Sequence, residues 1–352
     1  MTDAAFHVVL AVLWPLRAVA RLLPPDVRAR HAPGILREGF GAWAVRPFAG
    51  CMQRGRAMKI LHVVPGLAQN GNGIAVAAKL LAKDQSAALV ETVDFACGQG
   101  DVRAYDEVWV HSNWRPETLR ACVRVVRAGV PLVRMPHGNL DPVRLAFHGW
   151  RKALVAPLER WLYRHTARIV VTCAAERAWC EAWGVKGPFE ICDLRRFFRL
   201  DVPVVACRQK ETLPPLHVFY LGREHPLKGI VHLRRAVACL NEGCPPSMES
   251  GQRRVDLRIA SDVVGAEKEA AWGWCDVLCL PTLSDNFGLV VAEALEHGKP
   301  VITTDGAPAW KDEPRTDAHG HTRLVFLEGF RDGTDARRVQ LLRKAIESFL
   351  RT

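Results

Sequence analysis

The sequence lacks paired cysteines. Its 11 cysteines are odd in number and scattered singly, and no C-x-x-C occurs. That excludes a zinc ribbon or disulfide framework and reads as reduced, buried thiols. Cys275 and Cys279, four apart in an apolar segment, read as packing residues. Internal repeats and low-complexity tracts are also missing. The apolar stretch Ala4 to Leu16 has 13 residues, short of the roughly 20 that span a bilayer. The opening Met-Thr-Asp lacks the positive charge that begins a signal peptide, and no cleavage site follows. Acidic residues are in deficit: 37 Asp and Glu against 48 Lys and Arg, a net charge of +11. Such a balance favours anionic partners, whether nucleic acid, acidic lipid or phosphorylated substrate. No nucleic-acid module is present, so nucleic acid is not expected. No acidic metal-binding cluster appears either.

What is present fits a two-domain globular protein. A length of 352 residues exceeds one typical core, and 49% hydrophobic with 24% charged residues is a soluble composition. The most informative stretch is Ser284 to Thr304. Val277 to Leu280 reads as a buried strand. Phe287-Gly288 opens a helix with an expected apolar face of Leu289, Val290, Ala292 and Leu295. Gly298 ends that helix, Pro300 bars its continuation, and Val301 to Thr304 is the next strand. A helix opening just after a strand offers unpaired N–H groups to a phosphate. Asp285 precedes the opening and Glu293 lies inside the helix. Eight helical rises span ~12 Å, about the distance from a sugar to a ribose across a diphosphate.

This block resembles the donor-site signature of the retaining family 4 glycosyltransferases of the GT-B fold. Their pattern is Glu, seven residues, Glu; here the first position is Asp285, one methylene shorter. The resemblance extends over about 290 residues from Met58. It implies an α/β protein of two Rossmann-like domains facing across a cleft. Arg223 and Lys228, in a Gly-Arg…Lys-Gly element, match the cation pair that neutralises the donor diphosphate. Glu293 matches the residue holding the ribose hydroxyls, and Asp285 the one holding the donor sugar, with Asn286, Phe287, Gly288 and Leu289 around them. Gly71 and Gly73 match the glycine-rich loop near the donor phosphates. The run from His137 through Asn139 to Pro142 matches a segment on the acceptor side.

The residues support part of this independently. Ile60 to Val64 is an apolar strand, followed by a glycine-rich loop and a helix over 74–84; the loop is not G-x-G-x-x-G. The strands ending at His111 and Met135 put His111 and His137 at carboxyl ends of the sheet, where ligands gather, so both are expected to face the cleft. A helix over 150–166 carries Trp150, Arg151, Lys152, Arg160 and Arg164, a mixture that suits either solvent or anionic lipid. Residues 193–213 read as the link between domains.

Expected boundaries are an extension at 1–57, an acceptor domain at 58–205, a nucleotide-sugar domain at 206–335 and a closing helix at 336–352. The extension holds eight arginines against Asp3, Asp26 and Glu38, a net of +5. It reads either as a loose tail or as a membrane-surface anchor. The implied activity is metal-independent transfer, without a cofactor, from a nucleoside-diphosphate sugar to a glycan or glycolipid with retention of configuration. The expected place is the cytoplasm or the inner face of the membrane, in polysaccharide or lipopolysaccharide synthesis. A non-catalytic nucleotide-sugar or glycan binder, and another enzyme on the same fold such as an epimerase, remain open.

Overall fold

The computed structural model describes residues 57–67, 72–85, 89–94, 100–204, 215–242 and 254–350. The extension up to residue 56 and Gly71 lie outside the described residues. Each half builds one parallel sheet. The first has the order β2-β1-β3-β4-β5-β6, with β1 Lys59–Val64, β2 Leu89–Asp94, β3 Glu107–His111, β4 Leu132–Met135, β5 Arg168–Val171 and β6 Phe189–Ile191. The second has the order β11-β10-β9-β7-β8, with β7 Leu216–Leu221, β8 Val255–Ala260, β9 Val277–Cys279, β10 Val301–Thr304 and β11 Leu324–Leu327. Strands β3 and β4 are buried along their whole length, as expected where helices cover both faces of a parallel sheet.

The helices are α1 Gly73–Asp84, α2 Pro116–Ala128, α3 Pro142–Ala146, α4 Gly149–Arg164, α5 Ala174–Ala182, α6 Ile230–Leu240, α7 Gly265–Trp274, α8 Leu289–Glu296 and α9 Asp335–Phe349. Local chemistry sets their ends. Asn72 caps α1 by accepting from Ile74 N, while its amide donates to the carbonyls of Pro65 and Gly66. Proline opens α2, and Gly129 closes it in the left-handed conformation.

One expectation changes, and two gain detail. Helix α8 buries Val291, Ala292, Ala294 and Leu295, while Leu289 and Val290 are only half-buried at the rim of the core. The closing helix α9 packs on α6 and buries Leu342, Ala345 and Ile346, so it belongs with the second sheet. The described part of the link, up to residue 204, touches both domains: Arg196 pairs with Asp84 on α1, while Arg195 pairs with Glu313, Arg323 donates to Leu200 O, and Val204 N donates to Asp317.

Candidate active site

In an open parallel sheet, ligands bind at the carboxyl ends of strands where the strand order reverses. The first sheet reverses between β1 and β3, the second between β7 and β9. The loops leaving these four strands carry most of the residues singled out in the sequence. They meet across the cleft: a Cβ on Gly73 would lie 3.6 Å from Leu289, and one on Gly138 would lie 2.8 Å from the Asn286 side chain.

On the second sheet, the turn Pro226–Lys228 is pinned to the loop after β9. Leu283 N donates to Leu227 O at 2.8 Å, and the Thr282 hydroxyl donates to the same oxygen at 3.1 Å. Gly229 has a φ of +66°, and a Cβ there would lie 2.0 Å from Pro281 O; only glycine allows this approach. The result is an ion pair between Lys228 and Asp285. Burial works to raise the Asp285 carboxyl, but the Lys228 ammonium and the Arg144 guanidinium outweigh it and hold it below the usual range. Arg223 is exposed. The His225 imidazole is lowered first by partial burial and then by the charges of Arg223, Arg144 and Lys228. Glu293 is half-buried on α8 and pairs with Lys268 at 2.8 Å.

Across the cleft, His137 has a φ of +55°, a conformation that costs energy in a residue with a Cβ and concentrates at functional positions. His137 is 8% exposed and His111 is fully buried. His111 therefore does not line the acceptor side as expected; it lies behind His137 and hydrogen-bonds to it at 2.8 Å. Asn139 is used locally, donating to the Ser112 hydroxyl and accepting from Trp114 Nε1. The Phe287 ring is buried against Trp310, at 5.2 Å between centroids, so its side chain serves the core. Gly288, at φ +68°, caps α8.

A family model for the glycosyl transferase 4-like domain matches residues 79–188, and one for group 1 glycosyl transferases matches residues 216–329. Together they take in more than half of the chain, one on each sheet. The chain belongs to the group 1 glycosyltransferases. The fold of this glycosyltransferase is similar to that of a sucrose-phosphate synthase from Thermosynechococcus elongatus, with 14% identity, a TM-score of 0.56, and 84% of this chain and 92% of that chain covered. It is also similar to an alpha,alpha-trehalose-phosphate synthase (UDP-forming) from Burkholderia vietnamiensis, at 12% identity and TM-score 0.50, covering 84% and 100%. A third likeness is the catalytic domain of starch synthase IV from Arabidopsis thaliana bound to ADP and acarbose, at 11% identity and TM-score 0.50, covering 84% and 94%. These likenesses show the GT-B fold. No protein of curated function matches the sequence.

The glycosyltransferase also gathers residues that sequence reasoning missed. Arg144, on α3, crosses the cleft and donates to Ser284 Oγ at 3.0 Å and to Ser284 O at 3.2 Å. Asp141, fully buried, accepts from Val143 N, from the Ser284 hydroxyl and from Arg331. Glu176, on α5, accepts from Gly138 N at 2.6 Å, from Thr172 N at 2.7 Å and from the Asn286 amide. Burial raises its carboxyl above the usual value, with these hydrogen bonds pulling the other way. Asp141 stands in the His-Gly-Asn-Leu-Asp-Pro run, and its N-cap position was a usable signal. Glu176 carried none.

Proposed function

We propose that this glycosyltransferase moves a hexosyl or related group from a nucleoside-diphosphate sugar to a glycan or lipid-linked glycan, with retention of anomeric configuration. The observation that carries the reading is the Lys228–Asp285 ion pair at the switch point of the second sheet, with the Arg144 charge also acting on that carboxylate and with Arg223 exposed in the same loop. Breaking the glycosidic bond loads negative charge onto the departing diphosphate, and preorganised cations stabilise that charge. With this charge carried by side chains, transfer needs neither metal nor cofactor. The acceptor hydroxyl attacks from the face the diphosphate leaves, and its proton passes to a leaving phosphate oxygen. Asp285 orients hydroxyls of the donor sugar, Glu293 holds the ribose once it exchanges Lys268 for the nucleotide, and His137 lines the sugar pocket. Two of the structural neighbours named above are described with a nucleoside diphosphate, UDP or ADP, which supports the donor class.

A lipid-linked acceptor suits the outer face of α4 and the turn before it. Phe147, Trp150 and Leu154 are exposed there at 39%, 56% and 45%, beside the exposed Arg151, Arg160 and Arg164. Among the described residues no helix is long and apolar enough to cross a membrane. The reading is therefore a protein lying on the anionic inner surface and building cell-surface polysaccharide or lipopolysaccharide. A thermal-shift panel of UDP, GDP, ADP and their sugars tests the donor class. NMR of the product tests the stereochemistry. The expected result is one preferred nucleotide and a product with the donor's anomeric configuration; an inverted product overturns retention, and no stabilisation by any nucleotide overturns the donor assignment.

A further inference from the structure

Three histidines form a continuous hydrogen-bonded array inside the first domain. His62 on β1 meets His111 on β3, Nδ1 to Nε2, at 3.0 Å. His111 meets His137, again Nδ1 to Nε2, at 2.8 Å. The far end is closed by Gln85, whose Oε1 lies 2.9 Å from His62 Nε2. Strand register explains the path. His62 stands opposite Trp109, two residues before His111. His111 stands opposite Met135, two residues before His137. Side chains two apart share a face of a strand, which gives the first step; for the second, the chain leaves β4 at Met135 and the left-handed turn at His137 brings its ring against His111. The array runs obliquely from the sheet interior to the cleft. Trp109 covers it, stacked on His62 at 5.0 Å between centroids.

The array constrains protons. Burial lowers all three imidazoles below their ordinary value, His62 to about 4 and His137 to about 3, so each carries one proton near neutrality. A neutral imidazole has one donor and one acceptor nitrogen. Every joint in the line needs one of each, so the tautomer at one end dictates the tautomer at the other. Gln85 Oε1 is an acceptor, which requires His62 to be protonated on Nε2. The His62 Nδ1 then accepts from His111 Nε2, and the His111 Nδ1 accepts from His137 Nε2. Among the described residues the His137 ring is hydrogen-bonded through Nε2, to His111, which leaves Nδ1 for the cleft. It keeps a lone pair at the cleft end.

We propose that Gln85, His62 and His111 are positioning residues that lock His137 as its Nε2–H tautomer, so that His137 Nδ1 accepts a hydrogen bond from a hydroxyl of the bound sugar. Only the identity of that hydroxyl rests on the proposed transfer; the tautomer does not. A reversed amide at Gln85 would turn every proton round and present His137 as a donor. The chain thus relays one amide orientation, at the half-buried end of α1, to the sugar pocket. Locking matters because a free imidazole divides its population between tautomers, and only one of them serves a hydroxyl donor.

The test is two-bond ¹H–¹⁵N correlation of the ¹⁵N-histidine-labelled full chain, with His62→Gln, His111→Gln and His137→Gln used for assignment. The expected spectrum shows all three imidazoles protonated at Nε2. A His137 protonated at Nδ1 overturns the proposal. Gln85→Leu removes the acceptor and should turn His137 into a mixture of tautomers, whereas Gln85→Glu keeps an acceptor and should restore Nε2–H. Turnover is read on UDP-glucose, UDP-galactose, GDP-mannose and ADP-glucose. Gln85→Leu should lower kcat by about threefold to tenfold, the worth of one neutral hydrogen bond, with KM for the donor nearly unchanged and Gln85→Glu near wild type. A His137 tautomer or kcat indifferent to Gln85→Leu overturns the array's role. If no donor turns over, the transferase reading falls, while the spectrum still decides the array.

Discussion

Asp285 and Lys228 show how one contact between two side chains can serve two parts of one proposed donor. The pair forms between the two side chains themselves, and the lysine helps hold the carboxyl below its usual range against burial. The two partners nevertheless face different parts of the proposed donor. Lys228→Ala should weaken binding of the bare nucleoside diphosphate by about 1.5–3 kcal/mol, the worth of a charged hydrogen bond. Asp285→Ala should lower turnover more than it weakens binding of the bare nucleotide, because its proposed contact is to the sugar. Calorimetry with nucleotide and with nucleotide-sugar separates them, and equal losses for both ligands in Asp285→Ala would remove the sugar contact. The histidines give a second expectation at this scale. His62 has a folded pKa of about 4 against 6.5 unfolded. A group whose folded pKa is depressed is fully stabilising above the unfolded pKa and loses that contribution as pH falls toward the folded value. The melting temperature should therefore fall as pH drops from 6.5 to 4, with up to about 1.4 kcal/mol lost per pH unit per buried histidine. His62→Gln should flatten that slope in a calorimetric pH series. An identical slope would mean that other groups drive the acid loss.

Elements act here through their ends. The loop after β9, the turn before α6 and the start of α8 form one unit because Gly229 lets the backbone approach Pro281 and the Leu227 carbonyl takes two hydrogen bonds from the β9 side. Helix α4 acts through its outer face. Its inner side buries Leu158, Glu159, Leu162 and Tyr163, and a buried ion pair between Glu159 and Arg134, at 3.1 Å, anchors it to β4. The outer Trp150 and Leu154 have no such use. Full-length protein should co-sediment with phosphatidylglycerol–phosphatidylcholine vesicles, less so at high salt. Trp150→Ser with Leu154→Ser should reduce that binding by at least about tenfold, given ~1.5–3 kcal/mol for each large apolar side chain buried. A chain starting at Met58 should bind as well as the full chain. A large loss on that shortening, with no loss in the α4 variant, would move the lipid contact to residues 1–57.

At the scale of the molecule, the cleft is held by groups brought from both halves. Asp141 receives Ser284 and Arg331, Arg144 reaches Ser284, and Glu176 receives Asn286. These contacts join the loops on which the proposed donor would sit. Asp141→Ala removes the acceptor shared by Ser284 and Arg331. It should raise the radius of gyration in small-angle scattering without lowering the helix content in circular dichroism. An unchanged radius would show that the other cross-cleft bonds suffice to keep the domains together.

Much of the architecture was legible along the chain. The run from Val277 to Thr304 showed strand, loop, helix and strand because glycine, proline and apolar spacing are local signals, and the Gly-Arg…Lys-Gly element was legible for the same reason. Glu293's neighbour Lys268, the clasp at Asp141 and the role of Glu176 were not, because each depends on a partner from a distant segment. His111 is the clearest case. Its position at a strand end suggested the cleft, but strand order set β3 between β1 and β4, and register brought His62 and His137 against its two ring nitrogens. The sequence by itself determined which segments are strands and helices and which loops carry charge. Only the tertiary structure decided which of those side chains reach the cleft and which are spent on one another, because hydrogen bonds and ion pairs form between groups that packing brings within about 3 Å, whatever their separation along the chain.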